Sequence, residues 1–435
     1  MTEESIQVVV RFRPLNEREN LGNIHGNIHI DKNLNIINIT DRNTKHDFKF
    51  DNVFQGDSTQ KEIYENVAEP AVESVCNGYN STIFAYGSSG SGKTFSLFGN
   101  EHDKGIVYMA CETIFSSRGI NTNLIETKVK CSFIEIYNER IRDLLNKVNE
   151  DLQIRQCDKG VYIQGLKEKF VYEPQDIIDT INHGYKQRAV TSTSINSMSS
   201  RSHAILTITI SQIGIDGSEI ISKLNIVDLA GSENVGRSEA QGLTLSEAQN
   251  INKSLSALGN VINALTEVGR EHIPYRDSKI TYILQDSLGG NSKTIIIATV
   301  SPALNTISET LNTLKFAKRA KEIKNAPKLN KNESHGNLLK TIETLNKKIE
   351  ILEHKLADSQ SILSVMGISD NPHFNDISIF ENRSNIWHTK VLCLEKEIIA
   401  ERDRNKNLVE LFEKQRKLCM DISKELIKER LNKKD

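Results

Sequence analysis

The chain reads STIFAYGSSGSGKT from Ser81 to Thr94, and no other stretch says as much about its fold. Ser81–Tyr86 is short, apolar and rich in β-branched and aromatic residues, which predicts a buried strand. Gly87–Thr94 matches the pattern G-x-x-x-x-G-K-[ST]. Because the match follows a strand and is expected to open a helix, it indicates a P-loop rather than a chance glycine-rich turn. The sequence therefore predicts a nucleotide site here.

The residue types of this loop fit phosphate binding. Glycines let backbone amides turn inward around phosphate oxygens where the following helix begins. Lys93 is expected to reach the β- and γ-phosphates, and Thr94 to hold Mg²⁺. The predicted phosphate-binding residues are Gly87, Ser88, Ser89, Gly90, Ser91, Gly92, Lys93 and Thr94.

A second predicted strand, Leu224–Leu229, carries an acidic residue near its end, where the chain continues to Glu233 as DLAGSE. An aspartate in such a place is by itself explained equally well as a helix cap. Beside a P-loop, Asp228 is better explained as a residue that holds a water molecule of Mg²⁺. The backbone N–H of Gly231 is placed to sense a γ-phosphate.

A serine-rich loop, Asn196–His203, precedes another predicted strand. A loop of this composition is usually only a loop. Here its hydroxyls suit a metal ion and a positioned water molecule, and Arg201 is able to pair with Glu233 across the phosphate. We therefore expect this loop to form the third part of the nucleotide site.

Short β-branched runs alternate with stretches of helical spacing, which predicts an α/β domain: a mostly parallel central sheet of the P-loop type with helices on both faces. The Asn-rich stretch Leu21–Asn43 is expected to be a long loop or hairpin. The predicted strands are Ile6–Val10, Ser81–Tyr86, Val129–Ile136, Ala204–Ile210, Leu224–Leu229 and Thr294–Val300, and the predicted helices are Ser246–Glu267, Arg276–Leu288 and Ile307–Lys324.

Composition excludes several classes of protein. The 435 residues carry a net charge of −2, which argues against a nucleic acid held by bulk charge. No apolar run approaches the roughly 18 residues that a membrane span needs, so no membrane insertion is expected. The acidic N-terminus resembles neither a signal nor a transit peptide. The six scattered cysteines are typical of reduced thiols in a cytosolic or nuclear protein.

The pattern changes after Asn325. Residues 326–337, with Pro327 and Gly336, are predicted to be an extended connector. Residues 338–365 follow a heptad with Ile342 and Ile349 at a, which favours a two-stranded parallel coiled coil over a solitary amphipathic helix. An irregular linker, 366–387, and a second helical segment, 388–435, follow. The chain stops inside charged helix, as a fragment of a longer protein would.

Several motifs in order resemble those of a kinesin motor domain, over residues 6–330. The strongest are Phe84–Thr94, the switch I loop Asn196–His203 and the switch II motif Asp228–Glu233. VRFRP at Val10–Pro14 resembles the family's motif at the nucleotide edge. Further signatures in the expected order are SFIEIYNERIRDLL, NINKSLSAL and PYRDSKITYILQDSLGGN. Phe316–Asn330 also resembles the centromere-associated subfamily.

The resemblance implies ATP as the nucleotide, Mg²⁺ as its metal ion and hydrolysis as the reaction. By position, Ser200 would join the Mg²⁺ shell, Ser199 would position the attacking water, and Arg201 and Glu233 would form a salt bridge that closes the site. The residues expected at the adenine edge are Arg11, Arg13 and Pro14. The residues expected to touch Mg²⁺ are Thr94, Ser200 and Asp228.

The resemblance also implies microtubules as the partner, with tubulin presenting an acidic surface. It places Lys253, Arg276 and Lys279 on the track-facing surface, with Arg140 and Arg142 as further candidates, and Asn252 as the residue that couples the γ-phosphate to that surface. Tyr282 stands where the family commonly has Arg, which removes one cation from this surface. The implied location is the cytoplasmic microtubule cytoskeleton, with the spindle as a candidate.

The resemblance further identifies Lys324–Asn337 as a neck linker and Ile6–Val10 as its cover strand. A neck linker that follows the motor domain is the arrangement of plus-end-directed members, and the heptads imply a homodimer. Two alternatives remain open at this stage. In the first alternative, the chain is an ATPase that binds or regulates microtubule ends without walking. In the second, it is a structural dimer that binds nucleotide but hardly turns it over. The complete catalytic set argues against the second alternative.

Overall fold

The computed structural model describes residues 3–17, 19, 27–41, 44–100, 102–116, 124–146, 151–157, 160–191, 201–214, 218–233, 245–332, 347 and 406. Its strands are β1 (Glu4–Ser5), β2 (Gln7–Phe12), β3 (Ile28–Asp31), β4 (Ile36–Asp41), β5 (Thr44–Lys49), β6 (Asn52–Phe54), β7 (Ser81–Tyr86), β8 (Leu124–Tyr137), β9 (Arg140–Asp143), β10 (Ile154–Cys157), β11 (Gly160–Ile163), β12 (Lys169–Val171), β13 (His203–Gly214), β14 (Glu219–Asp228), β15 (Lys293–Val300), β16 (Lys324–Asn325) and β17 (Lys331–Asn332).

One of the described helices follows the nucleotide loop directly, and three follow the switch II motif. The helices are α1 (Gln60–Ile63), α2 (Glu69–Cys76), α3 (Lys93–Phe98), α4 (Ile106–Phe115), α5 (Pro174–Thr191), α6 (Leu245–Thr266), α7 (Lys279–Ile283) and α8 (Ile307–Ala320). A π-helical segment, Tyr64–Ala68, joins α1 to α2, and single 3₁₀ turns lie at Tyr275–Asp277, Gln285–Ser287 and Leu304–Thr306.

The central sheet is mixed, with the order β12-β8-β13-β14-β7-β15-β2-β6. Parallel pairing joins β14, β7, β15, β2 and β6, whereas β12 and β9 pair antiparallel with β8. β7 lies inside the parallel part, between β14 and β15, and every one of its residues is buried, as expected for a strand covered on both faces. The predicted α/β fold is thus confirmed, with an antiparallel side that the prediction of a mostly parallel sheet did not specify.

Helices cover both faces of this sheet, and each face has its own hydrophobic core. One core joins α2, α3, α4 and α5 through side chains such as Val72, Leu97 and Ile177. The other joins α6, α7 and α8 through Ile262, Ile280 and Leu314. The nucleotide loop leaves the sheet at the end of β7, between these two layers.

Two of the predicted helices were wrong in extent. Arg276–Leu288 is not continuous, because Ser278 is extended (φ −144°, ψ 151°) and separates a 3₁₀ turn from the short α7. The predicted helix to Lys324 ends at Ala320. There Ile323 is buried instead, and Lys324 pairs with Ser5 of β1. In both places a tertiary contact prevails over helical spacing.

The connector begins as part of this compact unit. β16 pairs antiparallel with β1, and Ile6 N–H donates to Ile323 O (3.0 Å). The strand that pairs with the connector is therefore Glu4–Ser5, whereas most of the predicted Ile6–Val10 belongs to β2 of the central sheet. Within the predicted insertion Leu21–Asn43, β3 and β4 form an antiparallel hairpin.

The chain divides into two compact units. The larger contains residues 1–122, 127–211 and 220–330. The smaller contains residues 123–126, 212–219 and 331–435, and within it Gly214 N–H donates to Ser218 O (2.9 Å). The predicted coiled-coil segments lie outside the described residues, apart from Lys347 and Lys406.

Four cysteines fall in the described part of the chain, namely Cys76, Cys111, Cys131 and Cys157, and none of them is joined to another by a disulfide. A search of the described helices finds none that is both long and apolar enough to cross a membrane.

Candidate active site

The P-loop is held in place by the strand beside it. Gly87 has φ +158°, and a Cβ there would lie 2.2 Å from the carbonyl oxygen of Thr299 on β15, so only glycine fits. The Ser91 hydroxyl bonds the buried Thr299 hydroxyl at 2.7 Å. Gly92 adopts φ +103° as the N-cap of α3. Gly87 and Gly92 therefore allow the bend of the loop, and Ser91 attaches it to β15. Ser89 and Gly90 are exposed at the tip of the loop.

Lys93 is the buried cation of this loop. Its side chain is only 7% exposed, and Nζ donates to the carbonyl oxygens of Gly87 and Ser88, each at 2.9 Å. Burial lowers the pKa of Lys93, while the charges of Asp228 and Glu233 act in the opposite direction. A charge held in a desolvated site gains most from an anionic partner. The site is therefore suited to phosphate.

Thr94 and Asp228 meet beside Lys93. Thr94 Oγ1 donates to Asp228 Oδ2 at 2.7 Å. The parallel register that sets Asp228 opposite Ala85 brings the end of β14 next to the P-loop. Asp228 is 2% exposed, and burial raises its pKa against the opposing effects of Thr94, Arg188 and Lys93.

The second oxygen of this carboxylate, Oδ1, is buried and lacks a hydrogen-bond partner among the described residues. Buried polar atoms are normally satisfied by protein or by an ordered ligand. A threonine hydroxyl beside an aspartate with one free oxygen fits Mg²⁺, which keeps several waters and takes its other ligands from substrate phosphates.

Gly231 and Glu233 reach the P-loop from the opposite side. Ser89 N–H donates to Glu233 Oε2 at 2.7 Å, and the Ser89 hydroxyl donates to Oε1. Gly231 lies directly under this pair, since a Cβ there would be 2.3 Å from Ser89 Oγ and 2.4 Å from Glu233 Oε2. Each oxygen of the Glu233 carboxylate is therefore engaged by Ser89 of the P-loop.

The serine-rich loop falls mostly outside the described residues. Ser199 and Ser200 are among the residues not described, as is the side chain of Asn252 in α6. Arg201 is described, half-buried at the end of this loop. Their predicted roles stay predictions.

The residues predicted at the adenine edge differ in exposure. Arg11 is buried: its Nη1 donates to Gln60 Oε1 and Ser96 Oγ, each at 2.9 Å, and its guanidinium lies over the Phe95 ring. Burial lowers the pKa of Arg11 to about 10. These partners are 49 and 85 residues away, so no local sequence signal revealed them.

Arg13 and Pro14 are more open than Arg11. Arg13 makes a bidentate pair with Glu19 (2.6 and 2.7 Å), and these bonds lower the pKa of Glu19. Arg13 Cβ lies close to Gly92, so this edge adjoins the P-loop, and Pro14 is exposed. Of the three, Pro14 presents the freest surface to a base.

The predicted track-facing cations lie on α6 and on the segment around α7, which pack together. Lys253 is exposed. The guanidinium of Arg276 lies 5.3 Å from the centre of the Tyr282 ring, and Nη2 donates to Gln156 Oε1 at 3.2 Å. The Tyr282 hydroxyl donates to the same oxygen at 3.3 Å. Tyr282 thus removes a cation but supports a neighbouring one, a contact that the sequence did not reveal.

The hairpin turn between β8 and β9 supports the same segment. Glu139 has φ +57° at this turn, and its carboxylate accepts from the Ser278 hydroxyl (2.6 Å) and from the backbone N–H of Lys279 (2.7 Å). This contact fixes the start of α7. Of the two further candidates, Arg140 is exposed, whereas Arg142 lies 3.8 Å from the Glu135 carboxylate and over the Tyr137 ring.

A P-loop that joins a strand of the parallel sheet to a helix, with an aspartate beside its threonine and a glycine-containing loop against its tip, defines the class of P-loop nucleoside triphosphatases. The model of the kinesin motor domain family matches residues 11–323. This chain belongs to the kinesin family. Kinesin motor domains are microtubule-stimulated ATPases.

Individual relatives agree with this assignment. Kinesin-related protein 3 of Dictyostelium discoideum is 44% identical over 369 residues, covering 83% of this chain and 31% of that protein. The kinesin heavy chain of Syncephalastrum racemosum is 44% identical over 336 residues, covering 76% of this chain and 36% of that protein. The chain thus spans about a third of the length of the curated relatives it matches.

Solved structures give the same fold. A structure of a fast kinesin is 43% identical with a TM-score of 0.71, covering 76% of this chain and 95% of that one. A KIF14 dimer, solved in a two-heads-bound state with AMP-PNP in complex with a microtubule, is 35% identical with a TM-score of 0.69, covering 76% of this chain and 97% of that one.

Proposed function

We propose that this chain is the motor end of an ATP-driven, plus-end-directed microtubule motor. The observation that carries the proposal is the Thr94–Asp228 hydrogen bond, which joins the P-loop to the end of β14 and leaves Asp228 Oδ1 available for a metal-bound water. The family supports ATP as substrate, and the complex of the KIF14 dimer with a microtubule supports tubulin as partner.

In this proposal the residues of the site do positioning rather than covalent work. Bound ATP with Mg²⁺ supplies the transferable γ-phosphoryl group and the cation that offsets its charge. Lys93 and the P-loop amides hold the phosphates, and Thr94 and Asp228 orient the metal's ligands. Ser200 would join the Mg²⁺ shell, and Ser199 would position the attacking water. Glu233 leaves Ser89 to pair with Arg201, which shields the reacting water from solvent.

The start of the connector supports the coupling of this chemistry to movement. Asn325 is 2% exposed, and its Nδ2 donates to Ser287 O, Ser292 O and Thr294 Oγ1, while its Oδ1 accepts from Gly289 N–H. Further on, Asn330 N–H donates to Gly78 O at 3.0 Å. A short segment that is attached mainly through hydrogen bonds and one exposed ion pair, Lys324 with Glu3, is suited to docking and release. We infer that residues 324–330 are the docked start of a neck linker.

The direct test of this proposal is the steady-state ATP turnover of the 435-residue chain with and without taxol-stabilised microtubules. We expect turnover to rise with microtubule concentration to a plateau. A basal rate that microtubules leave unchanged, in a chain that binds ATP, would contradict the proposal. The proposed location, the microtubule cytoskeleton, follows from the same partner.

Arg276 and Tyr282 provide a test of the track-facing surface. Replacing Arg276 by alanine removes an exposed cation, so we expect the microtubule concentration for half-maximal turnover to rise about five- to tenfold, with little change in the basal rate. Replacing Tyr282 by arginine puts the family's common cation back and is expected to lower that concentration. Cosedimentation at two salt concentrations measures both effects. A Tyr282→Arg variant that binds more weakly would show that the support of Arg276 outweighs the added charge.

We also propose that two chains associate through residues 338–365. Isolated helices of this length are marginal without a partner, and Ile342 and Ile349 at a with Leu345 and Leu352 at d favour two parallel strands. Sedimentation at low micromolar concentration is expected to give a dimer. Replacing those four residues by polar ones is expected to give a monomer with unchanged basal ATP turnover, because every predicted catalytic residue precedes Asn325. A wild-type monomer would refute the dimer and leave the ATPase assignment intact.

A further inference from the structure

His203 joins two parts of the molecule that the predicted mechanism needs to move together. It opens β13 directly after the serine-rich loop and is only 2% exposed. Its Nδ1 accepts a hydrogen bond from the backbone N–H of Ala230 at 3.0 Å. Its Nε2 lies 2.8 Å from the hydroxyl of Ser254 on α6. Both ring nitrogens of one buried side chain are thus used, on two different elements.

The proton on this ring is fixed by its partners. A backbone amide only donates, so Nδ1 carries a lone pair and the proton of the neutral ring lies on Nε2. Nε2–H therefore donates to Ser254 Oγ. Burial, together with the charges of Arg188 and Lys93, lowers the pKa of His203 to about 3, so the ring is neutral at physiological pH. The direction of both hydrogen bonds follows.

Ser202, the residue before His203, is hydrogen-bonded to two buried side chains. The Ser202 hydroxyl donates to Glu135 Oε1 at 2.7 Å, and Arg188 donates to both groups, to Ser202 Oγ at 2.8 Å and to Glu135 Oε1 at 3.1 Å. Glu135 and Arg188 are 1% and 6% exposed, and they belong to β8 and α5. The backbone at the start of β13 is therefore anchored, while the adjacent imidazole contacts the switch II loop and α6.

We propose that His203 is a positioning residue that couples the phosphate-sensing loop to α6. Ala230 immediately precedes Gly231, whose N–H is placed to sense a γ-phosphate, and Ser254 immediately follows Lys253 on the predicted track-facing surface. A shift of the Ala230 amide toward a nucleotide changes the hydrogen bond to Nδ1. The rigid ring passes that change to Ser254 and hence to α6. The inference rests on the proposed function, because it needs a nucleotide site and a track site to couple.

The competing explanation is a buried histidine that only satisfies two polar groups. That explanation predicts that loss of the Ser254 contact lowers stability and nothing else. Coupling predicts that the same loss weakens the communication between the sites while each site keeps its own affinity. The extent to which microtubules stimulate ATP turnover therefore separates the two explanations.

Ser254→Ala is the main variant, because it removes the acceptor of the Nε2 proton and leaves His203 in place. The matched control is Ser222→Ala, which removes an equally buried hydroxyl that donates to Val75 O (2.7 Å) far from both sites along β14. A second pair changes the ring itself. His203→Asn retains a polar group near Nδ1 only, and His203→Gln retains one near Nε2 only.

Each variant is tested as the full 435-residue chain for melting temperature, ATP affinity, basal turnover and microtubule-stimulated turnover. For Ser254→Ala we expect basal turnover near that of wild type and microtubule stimulation reduced about fivefold, and for His203→Asn we expect at least the same loss of stimulation. Adding Ser254→Ala to His203→Asn is expected to cause no further loss, because both break one path. Ser222→Ala is expected to keep full stimulation whatever its melting temperature.

Full stimulation in a folded Ser254→Ala chain would overturn the coupling role, and so would a loss of stimulation in Ser222→Ala equal to that in Ser254→Ala. Each of these outcomes leaves the proposed function standing. A wild-type chain whose turnover does not respond to microtubules would refute the proposed function itself, and this inference with it. The two failures are distinguished by the wild-type measurement alone.

Discussion

Replacing Lys93 by alanine is expected to lower ATP turnover by about a hundredfold or more, because it removes a buried cation that is predicted to bind the phosphates. In the structure Nζ is directed at the loop carbonyls of Gly87 and Ser88, within reach of the space that the P-loop encloses. Weaker phosphate binding also removes the signal that releases the motor from its track, so ATP is expected to lose its effect on microtubule binding.

The control for this variant is Lys61→Ala, which removes a lysine whose side chain is 77% exposed on α1. Lys93→Ala also leaves the carbonyl groups of Gly87 and Ser88 without their donor, so the melting temperature is measured to separate a damaged site from a damaged fold. Fluorescent ATP-analogue titration and turnover are measured on both variants. Wild-type turnover in a folded Lys93→Ala chain would show that Lys93 is not the phosphate lysine and that the site is wrongly assigned.

Replacing Glu233 by alanine is expected to leave ATP binding intact and to slow hydrolysis about a hundredfold, which holds the motor on the filament. Arg201→Ala is expected to do the same, since either change leaves the other charge unpaired in a closing site. If the two act through one bridge, the double variant is no worse than either single variant. Rapid-quench measurement of ATP cleavage, with binding measured separately, resolves the two steps.

The structure adds a control to this experiment. Glu233 is hydrogen-bonded to both the backbone N–H and the hydroxyl of Ser89, so its effect through the P-loop is separable from its effect through Arg201. Ser89→Ala removes the hydroxyl and keeps the amide, and we expect hydrolysis to fall far less than in Glu233→Ala. Two large losses that simply add for Glu233 and Arg201, or a Ser89→Ala variant as slow as Glu233→Ala, would contradict the bridge.

Local patterns predicted the parts of the fold that depend on local chemistry. Ser81–Tyr86 was predicted with the bounds that β7 has, because a short apolar run rich in β-branched and aromatic residues is typical of a buried strand. All six of its residues are buried. The end of α6 was predicted to within one residue, at Thr266 against the predicted Glu267. The P-loop was legible because its glycines and lysine are consecutive in the chain. Pairings of strands far apart in sequence, such as β15 with β2, carry no comparable signal.

The features of the structure that the sequence did not reveal share one physical cause. The helix predicted through Ser278 is interrupted because Glu139, 139 residues earlier, binds the Ser278 hydroxyl. Arg11 was predicted at the adenine edge, and the sequence did not reveal that Gln60 and Ser96 bind its guanidinium. The sequence showed His203 only as the last residue of a motif. It did not show that Ala230 and Ser254 are the hydrogen-bond partners of its two ring nitrogens. Hydrogen bonds between distant residues decide these features, and spacing along the chain does not report them.

The central claim, that the chain converts ATP turnover into directed movement, is tested most directly by surface gliding of polarity-marked microtubules. The 435-residue chain is fixed to glass through its C-terminal end, and filament movement is recorded with ATP, without ATP, and with Lys93→Ala as the inactive control. The account predicts ATP-dependent gliding with the minus end leading, as a plus-end-directed motor produces. Filaments that bind and release with ATP but never glide would contradict it and identify an ATPase that binds microtubules without moving along them.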